Sequence, residues 1–134
     1  MSFAWHEIRD HLMQSSSNLH FQRSFDAIRR TQAALAAFRD PAALLDGLHR
    51  TPGDQGQKNL ILAALVRAAQ GDGPASDSAL TMLLLALWPG LDAIRRRSLW
   101  RRLGTADEVA SDVLARTTEA VRSLDLRRVN WIAA

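Results

Sequence analysis

Cysteine and tyrosine are both absent from this sequence of 134 residues. The absence of cysteine excludes disulfides and thiolate metal sites, and it is compatible with a reducing cytosol. Residues with a branched β-carbon are sparse, and no segment alternates apolar and polar side chains cleanly, so β-strands are not expected. These absences predict an all-α protein.

Long apolar runs are also missing. The first twelve residues carry charges where a signal peptide needs an uninterrupted apolar stretch. The longest apolar stretch, residues 80–91, is only about half the length of a membrane span. We therefore expect a soluble, cytoplasmic protein with no membrane partner.

Lysine is nearly absent, because sixteen of the seventeen basic residues are arginine and Lys58 is the single exception. Arginine is suited to bidentate contacts with phosphate or carboxylate, and it stacks on bases. A GC-rich genome produces the same bias, since its codons favour arginine and alanine over lysine. The net charge of +3 is modest, so the placement of the arginines is more informative than their number.

Helix signals recur along the chain with start and stop marks, and the length fits one domain over residues 1–134. We predict a bundle of six or seven short helices. Residues 71–74, rich in glycine, separate an N-terminal half (1–75) from a C-terminal half (76–134). The expected helices cover about residues 3–14, 21–38, 41–49, 60–69, 76–88 and 91–103, and a last complete one runs from 106 to a break at residues 124–126, after which a further helix starts.

Three local features of these helices are specific enough to check. The second helix is expected to carry its apolar stripe as far as Leu35 and Phe38. Pro89 and the glycine after it are expected to interrupt or kink the long apolar helix. Thr105, followed three residues later by Glu108, has the pattern of a capping box that opens the last helix.

No arrangement of residues in the sequence indicates catalysis. His6 and His11 lie five residues apart, which fits surface histidines better than a metal site. The serines at 15–17 have no nearby base, and the glycines lie at helix ends and turns rather than in a phosphate-binding loop. We therefore predict no enzyme, no metal and no cofactor, and a small hydrolase or metalloenzyme is the least supported alternative.

The most informative segment holds five arginines close together. They are Arg95, Arg96, Arg97, Arg101 and Arg102. Like charges one helical turn apart repel each other unless an anion lies nearby. Acids within the chain could supply it, and the candidates are Asp92, Asp107, Glu108 and Asp112. An internally paired or solvated face is one interpretation, and a basic face that attracts the DNA backbone or an acidic protein is the other.

From about residue 80 to residue 134 the sequence resembles region two of the bacterial RNA polymerase sigma factors. The elements follow in the order ALTMLLLALWPGLDAIRRRSLWRR, then ADEVASDVLARTTEAVRSL, then DLRRVNWIAA. In that family an apolar helix and a basic stretch precede an acidic capped helix. A short break and a basic-aromatic helix come next. The first 75 residues resemble no family that we can name.

The resemblance implies two binding sites. In sigma factors the acidic capped helix docks on the clamp region of the largest subunit of the RNA polymerase core. The matching positions here are Asp107, Glu108, Asp112 and Arg116. The basic-aromatic helix of the family helps to open promoter DNA and holds unpaired bases. The matching positions here are Arg127, Arg128, Asn130 and Trp131.

This sequence ends inside the helix that would open promoter DNA. It is therefore expected to be either a fragment of a longer protein or a sigma-like domain with another use. A core position for Trp131 is the alternative to contact with DNA. The leading function is a transcription-related protein that binds RNA polymerase, DNA or both. The alternative is a sigma-like interaction or regulatory module without promoter opening, and a homo-oligomer remains open as a further partner.

Overall fold

The computed structural model describes residues 5–49 and 55–126, and within these ranges every regular element is helical. The α-helices are α1 (Trp5–Ser15), α2 (Leu19–Thr31), α3 (Pro41–His49), α4 (Gln55–Ala69), α5 (Pro74–Trp100) and α6 (Ala106–Ser123). One 3₁₀ turn, Ala33–Leu35, lies between α2 and α3. The predicted all-α class is confirmed, although α5 is not short.

Helix α5 is the centre of the bundle, since it contacts α1, α2, α3, α4 and α6. The main core forms around its N-terminal part. Its fully buried large side chains include Phe25, Leu35, Leu44, Leu65, Met82 and Leu83. The predicted N-terminal and C-terminal halves both contribute to this core, so they are packed as one unit. By length and composition α5 could also cross a membrane, a criterion that a central core helix equally meets.

A second, smaller core lies further along α5 and joins it to α1 and α6. Trp5 stacks on Trp88 with ring centroids 4.2 Å apart. Leu91 from α5 and Val109 and Val113 from α6 complete the buried set with Ala110. Aromatic stacking with this burial fixes α1 against the second half of α5.

Side chains cap three of the helices at their first turn. Asn18 accepts a hydrogen bond from the backbone N–H of Phe21 at 2.8 Å, and Asp40 accepts one from Ala43 at 2.7 Å. The Thr105 hydroxyl accepts one from the Glu108 N–H at 3.2 Å. Each cap satisfies an amide that has no partner within the helix. The threonine half of the predicted capping box is thus confirmed.

The prediction of one long second helix is wrong. Helix α2 ends at Thr31, and Gln32 is extended with φ −121° and ψ 100°. The Arg29 guanidinium donates to the carbonyl of Ala36 and holds the returning chain. Leu35 therefore reaches the main core from the 3₁₀ turn, where it is fully buried. Packing of Leu35 outweighs the local tendency to continue the helix.

Of the two alternatives expected at Pro89, an interruption or a kink of the long apolar helix, the interruption is wrong. Helix α5 is continuous through Pro89, and it begins at Pro74 rather than at a serine or aspartate cap. Ser76 instead donates from its hydroxyl to the carbonyl of Ala69 at 2.8 Å, which ties α5 to α4. A proline inside a helix removes one hydrogen bond. Trp88 and Leu91 on either side are buried in the second core, and that burial offsets the loss.

The start of α4 and the end of α6 can also be compared with the predicted boundaries. Helix α4 begins at Gln55, about one turn before the predicted start. Helix α6 ends at Ser123, so the predicted break at residues 124–126 is confirmed.

Candidate functional site

The five clustered arginines lie at the C-terminal end of α5, but they do not form one uniform face. Arg95 is turned toward the protein, with 22% of its side chain exposed. Its guanidinium carbon lies 5.3 Å from the centroid of the Trp5 ring, and Nη2 donates to Asp92 at 3.1 Å. A cation over an indole face is attracted by the ring quadrupole. Arg95 therefore fixes α1 to α5 and is a structural residue in this conformation.

Asp92 also pairs with a second arginine of the cluster. It forms ion pairs with Arg95 and with Arg96, three and four residues further along the helix. Burial raises the pKa of Asp92, but the hydrogen bond from Arg95 and the charge of Arg96 outweigh this effect. The net result is a pKa below the ordinary value of 3.8. Asp92 is thus ionised near neutral pH and balances part of the cluster.

The other three arginines have no such partner. Arg97, Arg101 and Arg102 are exposed, and no acid of the described residues forms an ion pair with them. Beside them Trp100 is 88% exposed and Leu103 is 69% exposed. We call Ile94, Arg97 and residues 100–103 the α5 tip. It combines uncompensated positive charge with an indole that contacts little of its own chain.

The backbone of the α5 tip is closed by a Schellman motif. The Leu103 N–H donates to the carbonyl of Ser98 at 3.1 Å, and the Arg102 N–H donates to that of Leu99 at 3.0 Å. The motif needs a left-handed residue, which is usually glycine. Here Arg102 takes that conformation with φ 54°, although its side chain makes it less favourable than glycine would be. These bonds also occupy carbonyls that would otherwise repel an anion at the helix end.

A groove runs from the α5 tip along the side of the helix. It has a volume of about 760 Å³ and lies between α5 and the C-terminus of α3 and N-terminus of α4. Its floor includes Leu62 and Leu91, and its lining includes Lys58 and Arg97. The groove therefore joins the α5 tip to the chain's single lysine.

The predicted polymerase-binding residues lie on α6. Asp107, Glu108, Asp112 and Arg116 are all exposed. The inner face of the helix is buried through Val109, Val113 and Val121. Arg116 donates from Nε to Asp112 at 3.0 Å across one turn. The structure thus brings the four predicted residues to the outer side of one helix.

The other predicted site residues have different outcomes. Arg127, Arg128, Asn130 and Trp131 lie outside the described residues. His6 and His11 are exposed on α1, and the described ranges hold no group of three residues that could bind a metal ion.

Sequence reasoning missed Trp100 as a candidate site residue. A usable signal was present, because positions 93, 97 and 100 share one side of a helix. The expected apolar positions, such as Trp88 and Leu91, fall on the other side.

No family model, no curated protein and no solved structure matches this chain. The function of the α5 tip and of the outer face of α6 therefore has to be inferred from their own chemistry.

Proposed function

We propose that this protein is a transcription-related, sigma-factor-like binding domain that docks on RNA polymerase through the outer face of α6. The observation that carries the proposal is the exposure of Asp107, Glu108, Asp112 and Arg116 on one helix. The same four residues fit the pattern by which the resemblance to sigma factors assigns polymerase docking. The proposal places the protein in the cytoplasm and gives it no catalytic role.

The chemistry of the face supports docking by charge. Three acids and one arginine give a patterned surface, and such patterns guide association and fix the register of an interface. The buried valines hold α6 against α5, so the face is presented on a rigid element. A rigid face loses little conformational freedom when a partner binds.

The docking face can be tested by exchanging the charges of one ion pair. In the double variant Asp112→Arg, Arg116→Asp the net charge is unchanged, and an ion pair across the same turn can still form. Stability should change by only a few tenths of a kcal/mol, because the pair is exposed and such pairs contribute little. A partner that recognises the order of the charges should bind roughly tenfold or more weakly.

The measurement is co-purification of the 134-residue chain with core RNA polymerase. The matched control is Glu7→Arg, Arg9→Glu on α1, where both residues are exposed. We expect the control to co-purify like the original chain and the α6 variant to be lost. Equal retention of both variants would remove α6 from the interface. No co-purification of the original chain would instead favour an interaction module with a different protein partner.

A further inference from the structure

We propose that the α5 tip binds single-stranded nucleic acid, with Trp100 stacked on an unpaired base and Arg97, Arg101 and Arg102 on the phosphates. This site lies on a different helix from the proposed polymerase-docking face. The two proposals can therefore fail separately.

The first reason for the proposal is that the indole and two of the arginines lie on the same exposed side of α5. Residues 93, 97, 100 and 101 follow helical spacing along one side of α5, and all are exposed. Trp88, Leu91 and Arg95 lie on the side that packs against α1 and α6. The indole and two of the three arginines thus point away from the bundle together, where a ligand can reach them.

Charge is the second reason. Within the same two turns, Asp92 forms ion pairs with Arg95 and Arg96 and balances one of their two charges, whereas Arg97, Arg101 and Arg102 have no acidic partner in the described ranges. Three guanidinium groups without counter-ions attract a polyanion, and each can bind a phosphate through two parallel hydrogen bonds. Binding to such a patch weakens as salt rises.

The indole of Trp100 favours single-stranded over double-stranded nucleic acid as the polyanion. An indole stacks on any unpaired base, because every base has an aromatic face, whereas bases in a duplex are already stacked on their neighbours. The other large exposed apolar side chains of the α5 tip are Ile94 and Leu103. The combination favours a single strand over a duplex.

The groove beside α5 supplies a path for the strand. It begins at Arg97 and Ile94, passes Gly90, and is lined on the α4 side by Lys58. Proteins that hold single strands without reading their sequence combine a groove carrying positive charge with an aromatic platform. Here Arg97 supplies positive charge at the end of a groove whose lining is largely apolar. The expected ligand is therefore a short single strand with little sequence preference.

The backbone of Arg102 gives independent support. A left-handed backbone at a residue other than glycine is unfavourable, and such strain collects at functional sites. The conformation places a guanidinium group at the corner where α5 turns toward α6. Replacement of Arg102 by glycine should therefore raise the melting temperature and lower the affinity for nucleic acid.

The test measures fluorescence anisotropy of a labelled 12-nucleotide oligo(dT) with the full 134-residue chain. The double variant Arg97→Gln, Arg101→Gln should bind at least tenfold more weakly. The matched control Arg23→Gln, Arg30→Gln removes the same charge from exposed positions on α2 and should change affinity less than threefold. Loss of two phosphate contacts should also reduce the salt slope by about 1.4, at roughly 0.7 for each contact on a single strand.

The contribution of the indole is tested by Trp100→Ala against Leu19→Ala, an exposed position at the start of α2 outside the tip. Trp100→Ala should lose roughly tenfold in affinity for the single strand, and Leu19→Ala should lose much less. Neither should change the circular dichroism melt, and both should still co-purify with any polymerase that binds through α6.

Three outcomes would overturn the proposal. Equal loss of affinity in the α2 control and in the tip variant would mean that only net charge matters. Tighter binding to the corresponding duplex, with no effect of Trp100→Ala, would make the tip a duplex-backbone surface. Complete competition by poly-glutamate at equal charge concentration would identify an acidic protein surface as the preferred partner.

Discussion

The two ends of α5 have opposite relations to the rest of the molecule. At the N-terminal end Met82 and Leu83 are completely buried in the main core. At the C-terminal end Trp100 and Leu103 are largely exposed beside three unpaired arginines. One continuous helix thus serves the core at one end and presents a surface at the other. Helix formation and hydrophobicity alone therefore do not separate a segment that packs in the core from one that is exposed.

The transition between the two ends is marked by a cluster of polar and aromatic contacts. Trp5 lies between Trp88, on which it stacks, and the Arg95 guanidinium, which Asp92 holds. This cluster fixes the direction of α5 before the chain reaches the tip. A binding surface on a well-supported helix is positioned more accurately than one on a loop.

The two ends of α5 should differ most in how far a leucine-to-alanine substitution lowers the free energy of unfolding. Leu83→Ala should lower the free energy of unfolding by about 2–5 kcal/mol, because it removes buried methyl groups and leaves a cavity. Leu103→Ala is the same chemical change at a position that is 69% exposed, and it should stay within about 0.5 kcal/mol. Urea unfolding monitored by circular dichroism measures both. Similar losses for the two variants would mean that the tip is packed as tightly as the core.

Loss of a contact in the cluster around Trp5 should have an intermediate effect on the free energy of unfolding. Asp92→Asn should destabilise the protein by about 1–2 kcal/mol at pH 7, because Arg95 loses its charged partner at a half-buried site. Asp112→Asn is the matched control, since its ion pair with Arg116 is exposed, and it should cost at most about 0.5 kcal/mol.

The effect of Asp92 should also depend on pH with a definite sign. Its pKa is lower in the folded protein than the ordinary 3.8. The stabilisation is therefore fully present above that value and is lost as the pH falls below it toward the folded pKa. The difference between the original chain and Asp92→Asn should shrink in urea melts below about pH 3.8. A difference that stays constant down to about pH 2 would assign it to packing instead of charge.

The smallest expected effect on the free energy of unfolding is an increase. Arg102→Gly should stabilise the protein by about 0.5–1 kcal/mol, because glycine adopts the left-handed backbone at 102 without a steric penalty. Arg97→Gly removes the same side chain inside the helix and should destabilise by about 1 kcal/mol. Thermal melts of the two variants should therefore shift in opposite directions. A decrease in the melting temperature of both variants would show that the Arg102 side chain makes stabilising contacts that outweigh the cost of its left-handed backbone.

Much of the fold followed from local sequence chemistry. Thr105 before Glu108 predicted the start of α6 correctly, because a cap acts through atoms only three residues away. The end of α2 and the continuity of α5 were not predictable in this way. They depend on the burial of Leu35 and Trp88 against segments far away in the sequence.

The site was predictable only in outline. The arginine cluster is apparent in the sequence. That Arg95 packs against the protein while Arg97 is exposed depends on Trp5, which lies ninety residues before Arg95 in the chain. The left-handed backbone of Arg102 was also hidden, because glycine occupies position 104 and that position is where the sequence suggested the helix end. The exposed side of α6 is accessible from the sequence, since the helical spacing of Val109, Val113 and Val121 indicates which side is buried.

Pro89 has a consequence for how α5 exchanges its amide hydrogens. A proline has no N–H, so the carbonyl of Leu85 lacks its usual donor one turn later, while the carbonyl of Ala86 lies 3.2 Å from Nε2 of His49. The hydrogen-bond ladder is therefore divided at this point. Amides before it should exchange with deuterium only in the rare opening of the main core, and those from Ala93 to Arg101 in smaller, more frequent openings. The C-terminal end of α5 is thus expected to open and re-form while the main core remains folded.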